Sequence, residues 1–215
     1  MEIQFNQIKP RSFQVKKSDA PVWESDVFLN SGKTYQIIAS SGSGKTTFIS
    51  MLAGLRGDYE GNILINGISL SAFKPRDWSE WRGNSASFVF QDLRLFPELS
   101  AKENIVLSNV LSTEKIGDLT DQIELMAEQL GIRHKLNTVV KFLSFGQMQR
   151  VAIIRALCRP YEWLFLDEPF SHLDHQNATN AWNIIVEDAK KKNAGIVITS
   201  LDPYPFIQPD QIFVL

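Results

Sequence analysis

Residues 40–47 read Ser-Ser-Gly-Ser-Gly-Lys-Thr-Thr and follow the apolar run Tyr35-Gln-Ile-Ile-Ala39. Small residues, one lysine and hydroxyls, set between a strand and a helix, suit the holding of a phosphate chain. Successive backbone N–H groups in such a turn form an anion-binding concavity. The helix N-terminus adds partial positive charge, contributing about 0.3–2 kcal/mol toward a bound anion. Gly42 and Gly44 permit close backbone approach and positive φ. Lys45 can reach outer phosphates, and the Thr46 hydroxyl can ligate a divalent cation. Ser40, Ser41, Gly42, Ser43, Gly44, Lys45, Thr46 and Thr47 are therefore the candidate nucleotide site. In the general pattern G-x-x-x-x-G-K-[ST] the first glycine falls at Ala39, where alanine costs energy if φ is positive.

A second cluster is Leu164-Phe-Leu-Asp167-Glu168-Pro169. A buried strand delivers its terminal carboxylates to the sheet edge, where ligands bind in open α/β folds. Asp167 can hold Mg2+ opposite Thr46. Glu168 can take the proton of an attacking water as general base. Two further motifs bracket this strand. Leu143-Ser-Phe-Gly-Gln147 precedes the helical run Met148–Leu157, with Ser144 placed as an N-cap or phosphate ligand. Ser171-His-Leu-Asp174 follows the carboxylates at once.

The elements that must position these residues are legible in outline. Residues 2–8 alternate as a strand, and 10–21 read as a loop or hairpin around Pro10 and Pro21. Residues 34–39 form a buried strand, and Lys45–Leu55 a helix closed by Gly54 and Gly57. Asn62–Asn66 is a strand entering the hairpin signal Asn66-Gly67, and Ser85–Phe90 is another strand. Residues 92–141 have few strand signals. Apolar residues at Ile116, Leu119, Ile123, Met126 and Leu130 give Glu114–Leu130 a helical period, and Gly131 stops it. Strands return at Trp163–Leu166 and Gly195–Thr199, with a helix over about Asp174–Lys192 between them, and Gln211–Leu215 is a last strand. Continuous apolar strands alternating with helices predict a parallel sheet covered on both faces.

Composition narrows the class. The chain has 215 residues, enough for one domain with a sub-lobe and a sizeable core. With 22 basic against 24 acidic residues the net charge is −2, so no basic face for duplex nucleic acid is expected. Lys190-Lys191-Lys192 reads as a solvated helix end. The single cysteine, Cys158, precludes an internal disulfide and reads as core packing. His134, His172 and His175 lack zinc spacing. No apolar run approaches ~18 residues, and the start MEIQFNQIKPR has no signal core. Trp78 and Trp81, three apart, read as packing on one helical face.

The phosphate loop, Gln91 of Phe88-Val-Phe-Gln91-Asp, Leu-Ser-x-Gly-Gln, the Asp-Glu pair and Ser-x-Leu-Asp occur in one order along the chain. In this the sequence resembles the ATP-binding cassette (ABC) ATPases. The stretch Phe90–Pro97 through Glu103-Asn-Ile105 is similar to small cassettes of the lipoprotein-release, cell-division and macrolide-export group. The resemblance implies an α/β P-loop NTPase core: a mainly parallel sheet with flanking helices, an N-terminal antiparallel β part and an inserted helical sub-lobe. Residues 1–215 would be a single ABC ATPase domain, with 1–91 and 142–215 as nucleotide-binding core and 92–141 as helical subdomain.

Residue roles follow as what the resemblance implies. Ser40–Thr47 should bind ATP. Thr46, Gln91 and Asp167 should hold Mg2+, with Gln91 also touching the attacking water and Glu168 acting as base. Ser144, Phe145, Gly146 and Gln147 should meet the γ-phosphate held by a second cassette in a head-to-tail dimer. Asp174 should lie at that seam. Phe13 is the candidate adenine-stacking aromatic. The partners implied are a second cassette, identical or not, and a separate transmembrane permease, with the chain peripheral on the cytoplasmic face of the membrane.

Three positions depart from the family pattern. Ala39 stands for the first loop glycine, Phe145 for the third signature residue, and Ser200 for the switch histidine. Ser200 can donate a hydrogen bond but carries no imidazolium charge. These departures keep open a slowly hydrolysing or regulatory cassette. A non-transport soluble ABC ATPase and a small-molecule kinase on the same loop are the remaining alternatives.

Overall fold

The computed structural model describes residues 1–11, 22–107, 109 and 116–215. Its first layer is an antiparallel sheet in the order β2-β1-β4-β5, built from β1 (Glu2–Pro10), β2 (Asp26–Asn30), β4 (Tyr59–Ile65) and β5 (Ile68–Ser69). Alternation along β1 sends Ile3 and Phe5 into the core, and the register shift after Asn6, where Gln7 turns to φ 50°, brings Ile8 in as well. The hairpin between β4 and β5 turns through Asn66 at φ 49° and Gly67 at φ 77°, the left-handed pair that such a two-residue turn needs.

The second layer is a parallel sheet in the order β6-β7-β8-β3-β9. Its strands are β3 (Thr34–Ile38), β6 (Ala86–Val89), β7 (Trp163–Asp167), β8 (Gly195–Ser200) and β9 (Gln211–Val214). All five residues of β7 are buried. Trp163 and Phe165 face a core shared with α1 (Lys45–Leu52) and the antiparallel sheet. Leu164 and Leu166 face the opposite core, shared with α5 (Phe145–Leu157) and α6 (His175–Lys192). The expectation of a parallel sheet buried on both faces is met, and two-sided burial explains why these strands are continuously apolar.

Between β4 and β7 the chain forms the short α2 (Pro75–Glu80), then β6, α3 (Ala101–Leu107) and α4 (Ile116–Gln129). Leu119, Ile123, Met126 and Leu130 are buried together against α5 and its neighbours. The α4 helix stops at Gly131, φ 66°. Trp81 is buried and donates its indole N–H to the Leu52 carbonyl at 2.7 Å, while Trp78 packs on Phe73, so both tryptophans are structural.

Several boundaries differ from the sequence reading. The α1 helix ends at Leu52 rather than Leu55, because Gly54 turns left-handed at φ 69°. The α5 helix begins at Phe145, three residues before Met148, since Ser144 and Gln147 close a reciprocal capping box. Lys192 is not a freely solvated helix end: its ammonium donates to the Leu157 and Arg159 carbonyls and to Asp188. Cys158 is buried, as expected. Phe13 lies outside the described residues, as do 12–21 of the expected 10–21 loop or hairpin and residues 114 and 115 of the expected Glu114–Leu130 helix.

Candidate functional site

The phosphate loop leaves the end of β3 and enters α1. Ala39 is buried, its N–H donates to the Ser200 carbonyl at 3.0 Å, and it is not among the residues with positive φ. The backbone here prolongs the β3 ladder, so the conformation of a glycine is not required. The left-handed turns fall instead at Gly42, φ 79°, and Gly44, φ 104°, where α1 starts. Ser43 closes the loop by donating its hydroxyl to the Ser40 carbonyl at 2.7 Å. Trp23 supports it from below, its indole N–H donating to the Ser43 carbonyl at 3.3 Å while its ring packs on Phe48.

Lys45 is 5% exposed. Its ammonium donates to the carbonyls of Ala39 (2.7 Å) and Ser40 (3.1 Å) and pairs with Glu168 Oε1 at 3.1 Å. Beside it the Thr46 hydroxyl donates to Asp167 Oδ2 at 2.7 Å, and the Thr199 hydroxyl donates to Asp167 Oδ1 at 2.7 Å. The loop and the two-carboxylate strand end, 121 residues apart in sequence, are thus in direct contact. Burial lifts the Asp167 carboxyl above its ordinary value, against the pull of the Thr199 and Thr46 hydroxyls and the Lys45 charge, with Glu168 adding to the lift. An alcohol and a carboxylate 2.7 Å apart are hard oxygen donors of the kind Mg2+ takes, so Thr46 and Asp167 fit that ion. Ser41, Gly42, Gly44, Lys45, Thr46, Thr47, Gln91 and Glu168 line one cleft of about 340 Å³.

Glu168 holds φ 48°, a left-handed conformation uncommon for a glutamate. Its N–H donates to the Thr199 carbonyl (3.2 Å) and hydroxyl (3.3 Å), and its own carbonyl accepts from Gln149 Nε2 at 3.3 Å. A non-glycine residue kept left-handed costs about 1–3 kcal/mol and persists where its surroundings over-determine it. Burial and the Glu168 charge push the nearby Tyr204 phenol up to about 12.

The signature residues lie on the first turn of α5. Ser144 Oγ accepts from the Gln147 N–H at 3.3 Å, and Gln147 Oε1 accepts from the Ser144 N–H at 3.0 Å. A Cβ on Gly146 would stand 2.9 Å from the His172 carbonyl oxygen, so only glycine allows this approach. Phe145 is exposed, and its ring rests on the His172 imidazole with centroids 4.1 Å apart. Asp174 caps α6, its carboxylate accepting from the Asn177 backbone at 2.8 Å and side chain at 2.6 Å. These bonds hold its carboxyl below the usual range.

Ser200 is set apart. It is 1% exposed, and its hydroxyl accepts from Gln36 Nε2 at 3.0 Å within the sheet; Leu201, not Ser200, lines the cleft. The register explains this: β3 and β8 pair Gln36 with Ile198 and Ile38 with Ser200, two residues apart, which places Gln36 and Ser200 on one face. Sequence reasoning missed Thr199, Gln149 and Trp23. A threonine in a strand reads as a strand former, and a glutamine in a helix as surface; only their contacts give them away.

The ABC transporter family profile matches residues 24–171. The chain is 35% identical to the ATP-binding protein HrtA of Staphylococcus saprophyticus over 93% of its length and 90% of that protein's. It is 31% identical to the lipoprotein-releasing system ATP-binding protein LolD of Legionella pneumophila, over 88% of its length and 84% of that protein's. In fold it is similar to the dimeric structure of a post-hydrolysis state of the ATP-binding cassette MJ0796 bound to ADP and Pi. That likeness has a TM-score of 0.79 at 21% identity and covers 93% of this chain and 88% of the other.

Proposed function

The chain belongs to the ABC transporter family, and from that premise we propose that it is the ATP-hydrolysing subunit of a transporter whose membrane-spanning part is a separate permease. The observation that carries this reading is the joining of loop and strand end: Thr46 to Asp167 and Lys45 to Glu168. ATP phosphates would lie in the loop Ser40–Thr47, over its N–H groups and the Lys45 ammonium. Glu168 would take the proton of water attacking the γ-phosphorus, as the bond to the bridging oxygen breaks and ADP leaves. Thr46, Asp167 and Gln91 would hold Mg2+, which when bound neutralises charge on the phosphate oxygens.

Ser144, Phe145, Gly146 and Gln147 would face the nucleotide of a second cassette, with Asp174 at the seam and residues 92–141 as the helical subdomain. Support for pairing comes from the dimeric cassettes whose fold the chain shares. Support for a protein partner comes from an apolar groove of about 370 Å³ beside the Gln91 loop. The exposed Leu55, Phe96 and Leu107 and four arginines line it. Among the described residues no helix is long and apolar enough to cross a membrane, so a spanning permease would hold the chain at the cytoplasmic face. No nucleic-acid role is proposed.

One observation favours a second reading, a slowly hydrolysing cassette: the Ser200 hydroxyl is committed to Gln36 and does not line the cleft. The deciding experiment is Mg-ATP hydrolysis by the purified chain beside Glu168→Gln at rising protein concentration. Turnover that climbs with concentration and vanishes in the variant supports the dimeric ATPase. ATP binding with both proteins equally inert overturns it in favour of the second reading.

A further inference from the structure

Gln149 lies on α5 one turn after the signature residues and is 1% exposed. Its amide is spent entirely on the segment that carries Glu168. Nε2 donates to the Glu168 carbonyl and to Ser171 Oγ, both at 3.3 Å, and Oε1 accepts from the His172 N–H at 3.2 Å. Three residues earlier on the same helix, Gly146 sits directly against the His172 carbonyl, and Phe145 covers the His172 ring. The first turns of α5 and residues 168–172 therefore form one packed unit. From the other side, β8 holds the Glu168 N–H through Thr199. The left-handed φ of Glu168 is fixed between these two grips.

We infer that Gln149 is the positioning residue for Glu168: it transmits the placement of the signature turn to the backbone that aims the base. The inference rests on the reading of Glu168 as the general base. Without the Gln149 amide the Glu168 peptide loses its α5-side hydrogen bond and keeps only the Ser171 N–H on that carbonyl, so the backbone that aims the carboxylate is held less firmly while the pair with Lys45 stays in place. The chemistry tolerates such misplacement poorly, whereas ATP binding, which depends on the loop and Lys45, is left alone.

The test uses the full chain, with Gln149→Met as the length-matched apolar variant and Gln149→Glu as a polar one. Each is made alone and in a Glu168→Gln background. Gln149→Met is expected to lower kcat by about tenfold or more with KM for ATP within about twofold. In the Glu168→Gln background the same change is expected to alter the residual rate by less than about twofold, since both act through one group. Amide hydrogen exchange is expected to speed up over residues 168–173 and to stay unchanged over Trp163–Asp167. Gln149→Glu, which keeps the acceptor and loses the donor, is expected to follow the same pattern, so a folding failure of one variant leaves the other to decide. Unchanged exchange over 168–173 overturns the inference. So does an equal loss of rate in both backgrounds, or a rise in KM in step with the fall in kcat. If the parent chain hydrolyses no ATP, the reading of Glu168 as base fails, and the exchange measurement still decides whether Gln149 holds that backbone.

Discussion

The Lys45–Glu168 pair makes a prediction about binding that is separate from the one about chemistry. The two charges meet at 3.1 Å with side chains only 6% and 12% exposed. At an effective dielectric of about 20 their direct attraction is ~5 kcal/mol, an upper bound because both ions also pay for leaving water. A hydrogen bond to a charged group contributes a net ~1.5–3 kcal/mol, which is the better scale for the contact itself. An arriving phosphate must compete with this carboxylate for the ammonium, and the carboxylate also repels the phosphate. Glu168→Gln keeps an acceptor for Lys45 and removes only the charge. About 1–2 kcal/mol of the competition should vanish, so ATP should bind roughly 5–30-fold more tightly. Hydrolysis should fall by about 10²–10⁴-fold at the same time. The assay is an equilibrium titration of both proteins with a non-hydrolysable ATP analogue, which keeps turnover out of the comparison. The buried position predicts that the gain survives raised salt. Unchanged or weaker affinity in Glu168→Gln would refute the argument that Glu168 and the nucleotide share Lys45.

Ala39→Gly is expected to destabilise the chain by about 0.5–1 kcal/mol in urea unfolding and to leave ATP affinity unimproved, because φ at Ala39 needs no glycine. A double-mutant cycle of Phe145→Ala and His172→Ala should give a coupling of about 0.5–1.5 kcal/mol in unfolding free energy, reflecting their ring contact at 4.1 Å. Burial and the Asp188 carboxylate push the Tyr161 phenol well above its ordinary range, with its hydroxyl 2.5 Å from Asp188. Above pH ~10 the unfolded phenol releases a proton that the folded one keeps, so stability should fall by up to ~1.4 kcal/mol per pH unit. Tyr161→Phe should cost about 1 kcal/mol near neutrality and remove that part of the alkaline slope in unfolding measured from pH 8 to 11. Ser200→His should destabilise by about 1–3 kcal/mol through overpacking against Gln36, and the loss should shrink when Gln36→Ala is added.

What the sequence made legible was whatever a residue type states by itself. Glycine, lysine and threonine at fixed spacing after an apolar run name a phosphate loop, and an apolar strand ending in Asp167-Glu168 names the opposite wall. Two-sided burial was legible for the same reason, since β7 and β8 are apolar until their C-terminal ends, where Asp167, Thr199 and Ser200 stand. The capping box at Ser144 and Gln147 was also written in the chain, and reading it would have started α5 at Phe145. What was not legible depends on register and on distant partners. Thr199 reaches Asp167 because β7 and β8 pair these two residues side by side. Gln149 matters because α5 packs with one buried face toward residues 168–172. Neither side chain announces this by type, and strand register, once fixed by packing across two sheet faces, decides which one meets a carboxylate.

The three departures from the family pattern resolve into different physical cases. Ala39 falls where φ is not positive and its N–H still bonds to β8, so its methyl meets no left-handed penalty and its carbonyl still accepts from Lys45. Phe145 falls one residue before the tight spot: the residue with no room for a side chain is Gly146, and that glycine is present. The Phe145 ring is turned to the surface, where His172, itself in the Ser-x-Leu-Asp loop, provides a face to rest on. Ser200 differs from both, because its hydroxyl is consumed inside the sheet by Gln36, a residue of β3. Substituting one without the other leaves a polar side chain buried without its partner, so positions 36 and 200 must change together. The loop and the two carboxylates are untouched by all three departures. If the chain is slow for a reason within its own cleft, the cause therefore sits at the Gln36–Ser200 pair and should show as a low kcat with ordinary ATP affinity. A weak ATP affinity of the single chain would contradict this assignment, since none of the three substitutions disturbs the loop and the Lys45 ammonium of its own cleft.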